Sequence, residues 1–256
     1  SSNINSQIGL ARGARYPLAA PTTSETILFS RGANQQTVPS VASNGSDYLV
    51  AWVDSRTSVA DASPAIFAQR VDTDGKPLAS PLQISTGTLR DSSAPKVVFD
   101  GQKYFIVWSE SDALNPNLYR IRGAVVPSTG PIAVDKLLTI DEPGNPSTDV
   151  TVGSDGLNRI VVWTSLGTNV VGKRVLIAND TVVDSAPQVI VSSQSAFAIT
   201  PQIAFSGSRT LIAWAQLTTS YSFSVVGAFI NPGEIKPTEP VRTLMDQVGL
   251  IFDSRI

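Results

Sequence analysis

The 256-residue sequence predicts an all-β chain built from repeated four-stranded units. Three observations lead there. Its four tryptophans stand in register, a glycine and usually a proline precede each at fixed offsets, and the runs between them have strand rather than helix periodicity.

The tryptophans are Trp52, Trp108, Trp163 and Trp214, spaced 56, 55 and 51 residues apart. Seven positions before them stand Gly45, Gly101, Gly156 and Gly207. Thirteen positions before them stand Pro39, Pro95, Val150 and Pro201, so the third unit departs from the pattern. The segments entering each tryptophan, YLVAW, YFIVW, RIVVW and TLIAW, are rich in β-branched and aromatic residues and read as buried second strands. A shorter apolar run ahead of each glycine, such as PSVASNG or PQIAFSG, supplies the first strand, and the glycine marks the hairpin corner.

After a polar loop comes a third run: IFAQRV at 66–71, IRGAVV at 121–126, VVGKRV at 170–175 and VVGAFI at 225–230. Its third position is small in every unit (Ala68, Gly123, Gly172, Gly227), as expected where a backbone or bulky side chain approaches closely. A turn such as Asp72-Thr73-Asp74-Gly75 then leads to a fourth run, clearest in PLQIS at 81–85 and PQVIV at 187–191.

Four antiparallel strands in about fifty residues make one propeller blade. The expected fold is a five-bladed β-propeller of four-stranded antiparallel blades in a single domain over 1–256, with units near 38–86, 94–141, 146–193 and 200–247. Residues 1–37 with 248–256 form a partial fifth unit, one blade being closed by N- and C-terminal strands so that no sheet edge stays open. In that unit Ile27 follows Gly9 by eighteen residues, as Ile190 follows Gly172. The C-terminal stretch supplies one strand of GLIFD type, so either the fifth blade has three strands or the chain is part of something longer. A β-sandwich is the competing fold, and it does not require the tryptophan register.

Composition narrows function. With 42% apolar and 16% charged residues the chain has the makings of a sizeable core. A formal charge of −2 offers no field for phosphate backbones, and no apolar run is long enough to span a membrane, so neither nucleic acid nor membrane insertion is expected. There is no cysteine and no histidine, which removes disulfides, thiolate chemistry, a Ser-His triad and the commonest metal ligands; no metal, cofactor or catalytic residue is expected.

The text NGSDYLVAWVDSR…IFAQRVDTDGKPL at 44–78 resembles the tandem propeller-like repeats of large secreted or surface-exposed bacterial proteins. Their units pair a glycine turn and a tryptophan-ended strand with an I-x-x-Q-R-V strand and a D-G turn. The resemblance covers roughly residues 38–247, closest in the first unit and weakest in the third. It implies blades and an extracellular or cell-surface location, and no catalytic residues.

Candidate ligand-binding positions lie two residues after each tryptophan, at the start of the loop joining second and third strands: Asp54, Glu110, Ser165 and Gln216. Such loops gather on one face of a propeller, where a rigid scaffold presents functional side chains. Asp54, Arg56, Glu110, Asp112 and Gln216 are the residues expected to meet a polar ligand. The tryptophans, flanked by aliphatic residues, read as packing anchors rather than sugar platforms. Asp72-x-Asp74-Gly75 lacks the full set of calcium-liganding positions and reads as a turn.

The function expected from these features is a non-enzymatic recognition or structural module, binding a glycan or a surface protein through loops on one face, within a larger chain or assembly. The alternative is a glycoside hydrolase using paired carboxylates at the channel mouth.

Overall fold

The computed structural model describes residues 12–14, 26–28, 36–55, 64–85, 94–111, 115, 117–144, 147–192, 196–218 and 223–246. Among them every regular element is a strand. The first two, β1 (Arg12–Ala14) and β2 (Thr26–Leu28), pair antiparallel. Blade 1 follows with β3 (Gln36–Ser43), β4 (Asp47–Asp54), β5 (Ala65–Asp72) and β6 (Leu82–Gln83) in that spatial order. Blade 2 holds β7 (Lys96–Phe99), β8 (Lys103–Ser111), β9 (Tyr119–Pro127) and β10 (Lys136–Gly144).

Blade 3 holds β11 (Ser147–Ser154), β12 (Asn158–Ser165) and β13 (Asn169–Leu176), and its outer edge is split: β14 (Thr181–Val182) and β15 (Gln188–Ser192) both pair β13. Blade 4 comprises β16 (Ala196–Phe205), β17 (Thr210–Thr218), β18 (Phe223–Ile230) and β19 (Arg242–Asp246). The strands meet by simple up-and-down succession. First strands of successive blades touch one another, β3 with β7, β7 with β11 and β11 with β16, so they are the inner strands about a common axis.

Alternation along the second strand places successive side chains on opposite faces of a blade. Across blades 1 to 4 the facing sides of successive blades therefore pack on one another, and the core is a series of seams. Leu49, Ala51 and Val53 of blade 1 meet Tyr104, Ile106 and Trp108 of blade 2. Phe105, Val107 and Ile121 meet Val150, Val161 and Trp163 at the next seam, and Ile160, Val162 and Val170 meet Ile212, Trp214 and Val226 at the third. Each of these indoles thus faces the preceding blade. Trp52, on the remaining face of blade 1, packs with Val50, Ala65 and Phe67 and is fully buried.

The small position of the third strand has a direct cause. A Cβ on Gly172 would lie 2.7 Å from the carbonyl oxygen of Val161 across the sheet, and one on Gly123 would run into the Phe105 ring. In the N-terminal pair Gly13 lies opposite Ile27, while Gly9 and residues 248–256 of the expected fifth unit lie outside the described residues.

The hairpin corner is equally local. Gly101 has φ +96°, a region closed to most side chains, and the Asp100 carboxylate accepts the amides of Gln102 and Lys103 at 2.8 Å.

Candidate functional site

Antiparallel pairing fixes which ends share a face. Gln36 lies opposite Asp54, Ser147 opposite Ser165 and Ala198 opposite Gln216, so the starts of the inner strands and the loops after the tryptophan strands open on the same side. The hairpin corners lie at the other end.

At this loop-side mouth three inner strands carry an extra residue. Register slips occur between Thr37 and Ser40, between Thr148 and Thr151, and between Ile199 and Gln202, each a bulge in which three steps on the inner strand face two on its neighbour. Within the bulges Val38, Asp149 and Thr200 have φ of 48°, 54° and 50°. All three stand fourteen positions before their tryptophan and are exposed. A left-handed backbone is costly for a β-branched residue such as Val38 or Thr200, and strain of this kind concentrates at functional sites. Asp149 is the one carboxylate among the three. Its Oδ2 accepts the amide of Thr200 at 3.4 Å, linking blades 3 and 4 at the mouth.

The predicted residues fall in different surroundings. Asp54 is buried, and its Oδ2 accepts the indole N–H of Trp52 at 2.8 Å. Glu110 is buried too: Oε2 accepts the Trp108 N–H at 3.0 Å while Oε1 accepts Arg122 Nε at 2.7 Å, and Arg122 also donates to Thr139. Both carboxylates thus satisfy an indole N–H that burial would otherwise strand. Gln216 is half-buried on β17. Arg56 and Asp112 lie outside the described residues. Sequence reasoning passed over Asp149, although its neighbour Val150 marked the unit as deviant; the signal was a carboxylate at an offset held elsewhere by Val38, Ala94 and Thr200. Among the described residues no cluster of acidic side chains is arranged to hold a metal ion.

No protein-family model and no curated protein matches the chain. Solved structures do. A thermostable family-43 glycoside hydrolase aligns with a TM-score of 0.50 at 12% identity, over 78% of this chain and 72% of its own. The fold is that of a five-bladed β-propeller. The GH43_1 enzyme from Xanthomonas citri (TM-score 0.49, 11% identity, 77% and 71% covered) and a GH43 endo-arabinanase from Bacillus licheniformis (0.47, 14%, 78% and 73%) are also similar to it.

The comparison runs against the expectation of a non-enzymatic recognition or structural module, because a solved structure that shares this fold is a glycoside hydrolase. That expectation leaned on the absence of histidine and cysteine. Cleavage of a glycosidic bond needs neither, since two carboxyl groups serve as acid and as base or nucleophile. In the propeller, Asp149 stands where the inner strands open towards the loops, and the indole-bound Asp54 and Glu110 stand one strand further out.

Proposed function

We propose that the chain is a carboxylate-dependent glycoside hydrolase whose substrate enters the loop-side mouth and meets Asp149. The observation that carries this reading is an exposed carboxylate held on left-handed backbone at the axial bulge, with one oxygen tied to the Thr200 amide. The five-bladed fold shared with a glycoside hydrolase supports it.

Chemically, one carboxyl group gives a proton to the glycosidic oxygen as the bond from the anomeric carbon breaks, while the other takes a proton from the attacking water or attacks that carbon itself. Asp149 takes the second role, being exposed at the mouth with Oδ2 tied to the Thr200 amide. For the partner acid the sequence candidate is Asp112, which lies outside the described residues. Gln216 borders the mouth as a hydrogen-bonding residue for a sugar hydroxyl, and Asp54 and Glu110 hold the strand ends that frame it. The resemblance to secreted repeats supports work outside the cell.

The test is release of reducing ends from arabinose-, xylose- and galactose-based oligosaccharides. Hydrolysis of at least one class is expected. No release from any of them, by protein shown to be folded, would overturn the proposal.

A further inference from the structure

The mouth is not the same all the way round. Three positions after the tryptophan stand Ser55 and Ser111 in blades 1 and 2, but Leu166 and Leu217 in blades 3 and 4. The loops differ too. Residues 55–64 join β4 to β5 and 112–118 join β8 to β9, whereas only Leu166, Gly167 and Thr168 join β12 to β13. Blade 3, which carries Asp149, thus has the shortest loop of the four. That loop also breaks a local rule. Leu166 has φ 56° and Gly167 φ 71°, and the Thr168 amide closes on the Ser165 carbonyl at 3.4 Å. A turn with both central residues left-handed favours asparagine or glycine, and leucine there is strained. Its side chain is 53% exposed, so burial within the fold does not offset the strain.

Phe197, the second residue of β16, lies against this loop. A Cβ on Gly167 would come 3.6 Å from Phe197 Cδ1, and the Gly167 carbonyl accepts the Ala198 amide at 2.9 Å. The ring is 54% exposed. Strand pairing continues the apolar line outward along blade 4, from Phe197 to Leu217 on β17 and on to Phe223 on β18, which is also exposed. Inward, Phe197 precedes Thr200 by a stretch of strand at most about 10 Å long. Thr200 is the residue whose amide meets Asp149.

We infer that Phe197 is the stacking platform for a sugar ring next to the bond that Asp149 attends, an inference that rests on the glycoside-hydrolase reading. A sugar ring carries C–H groups on its faces and hydroxyls around its rim, so it is recognised by an aromatic face set beside hydrogen-bonding groups. Phe197 supplies the first, and exposed Asp149 and Thr200 stand on the same rim to supply the second. The ring lies too far along the strand to touch the atoms that react, so its part is to hold and position the chain. Leu166, Leu217 and Phe223 extend the platform, and the glycan runs from Asp149 out across blade 4, over the leucine side of the mouth and not the serine side.

The test takes the folded full chain with arabino-, xylo- and galacto-oligosaccharides. On whichever class the native chain hydrolyses, Phe197→Ala should raise KM roughly tenfold or more and leave kcat within about threefold, the mark of binding lost equally before and during the reaction. Phe197→Trp should restore KM. Leu137→Ala, which trims an exposed side chain on the outer strand of blade 2, should change neither constant. An unchanged KM in Phe197→Ala overturns the inference and leaves the hydrolase reading standing. If the native chain hydrolyses none of the sugars, saturation-transfer NMR with the same set separates the two claims. Binding that Phe197→Ala abolishes supports the platform without the chemistry; binding that it leaves intact, or no binding by the native chain, overturns the platform. Should the alanine variant not fold, Phe197→Leu, which keeps apolar bulk and loses the ring, carries the same expectations.

Discussion

Replacing Arg159 by methionine tests how much of the stability sits between blades 2 and 3. The guanidinium is fully buried, with Nε 2.6 Å from Asp100 Oδ2 and Nη1 2.6 Å from Asp180 Oδ1, and it lies over the Phe105 ring at 4.8 Å. Methionine keeps much of the volume and removes the charge. Asp180 retains Lys103 at 3.1 Å, but Asp100, whose side chain is also fully buried, loses its cation. Breaking a buried pair on one side costs about 3–5 kcal/mol. For a chain of this size that lowers Tm by roughly 6–20 °C.

Acid should narrow the gap. Burial works to raise the Asp180 pKa, but hydrogen bonds from Arg159 and Lys103, with their charges, outweigh it and hold the carboxyl below its usual range. A lowered folded-state pKa gives stability that is complete above the unfolded value of about 3.9 and is lost as pH falls through the folded one. Calorimetric melts of both proteins should therefore differ fully at neutral pH, and the part of the difference that rests on Asp180 should shrink below about pH 4. The triple variant Arg159→Met, Asp100→Asn, Asp180→Asn should recover most of the loss, because no buried charge is left alone. A loss under about 1 kcal/mol for the single variant at neutral pH would refute the reasoning.

Two further substitutions probe the seams. Trp108→Ala should cost about 3–5 kcal/mol in denaturant titration, since the ring fills the seam between blades 1 and 2. Gly172→Ala should cost about 1–3 kcal/mol in the same assay, because its Cβ would meet a backbone oxygen that cannot turn aside.

What the sequence revealed was whatever repeats through local chemistry. The tryptophan register, the glycine corners and the small third-strand positions each answer to a contact within one or two blades, so each recurs at a fixed offset. Features that depend on a different partner in every unit were hidden. Asp54 and Glu110 lie at the strand ends where spacing put them, yet the indole N–H two residues earlier in each strand draws them inward. The arginine of the Q-R-V run was visible as a motif, but its partners lie in the neighbouring blade, 57 and 60 residues away. Asp149 escaped because the bulge that exposes it arises from strand pairing, which the side-chain pattern does not report.

The most direct measurement is the turnover of Asp149→Asn on an oligosaccharide the native chain hydrolyses. Asparagine keeps the shape and an acceptor for the Thr200 amide, and removes the charge. If this carboxylate acts on the anomeric carbon or its water, kcat falls about 100- to 10,000-fold while KM changes little. A variant that turns over at the native rate would contradict the account.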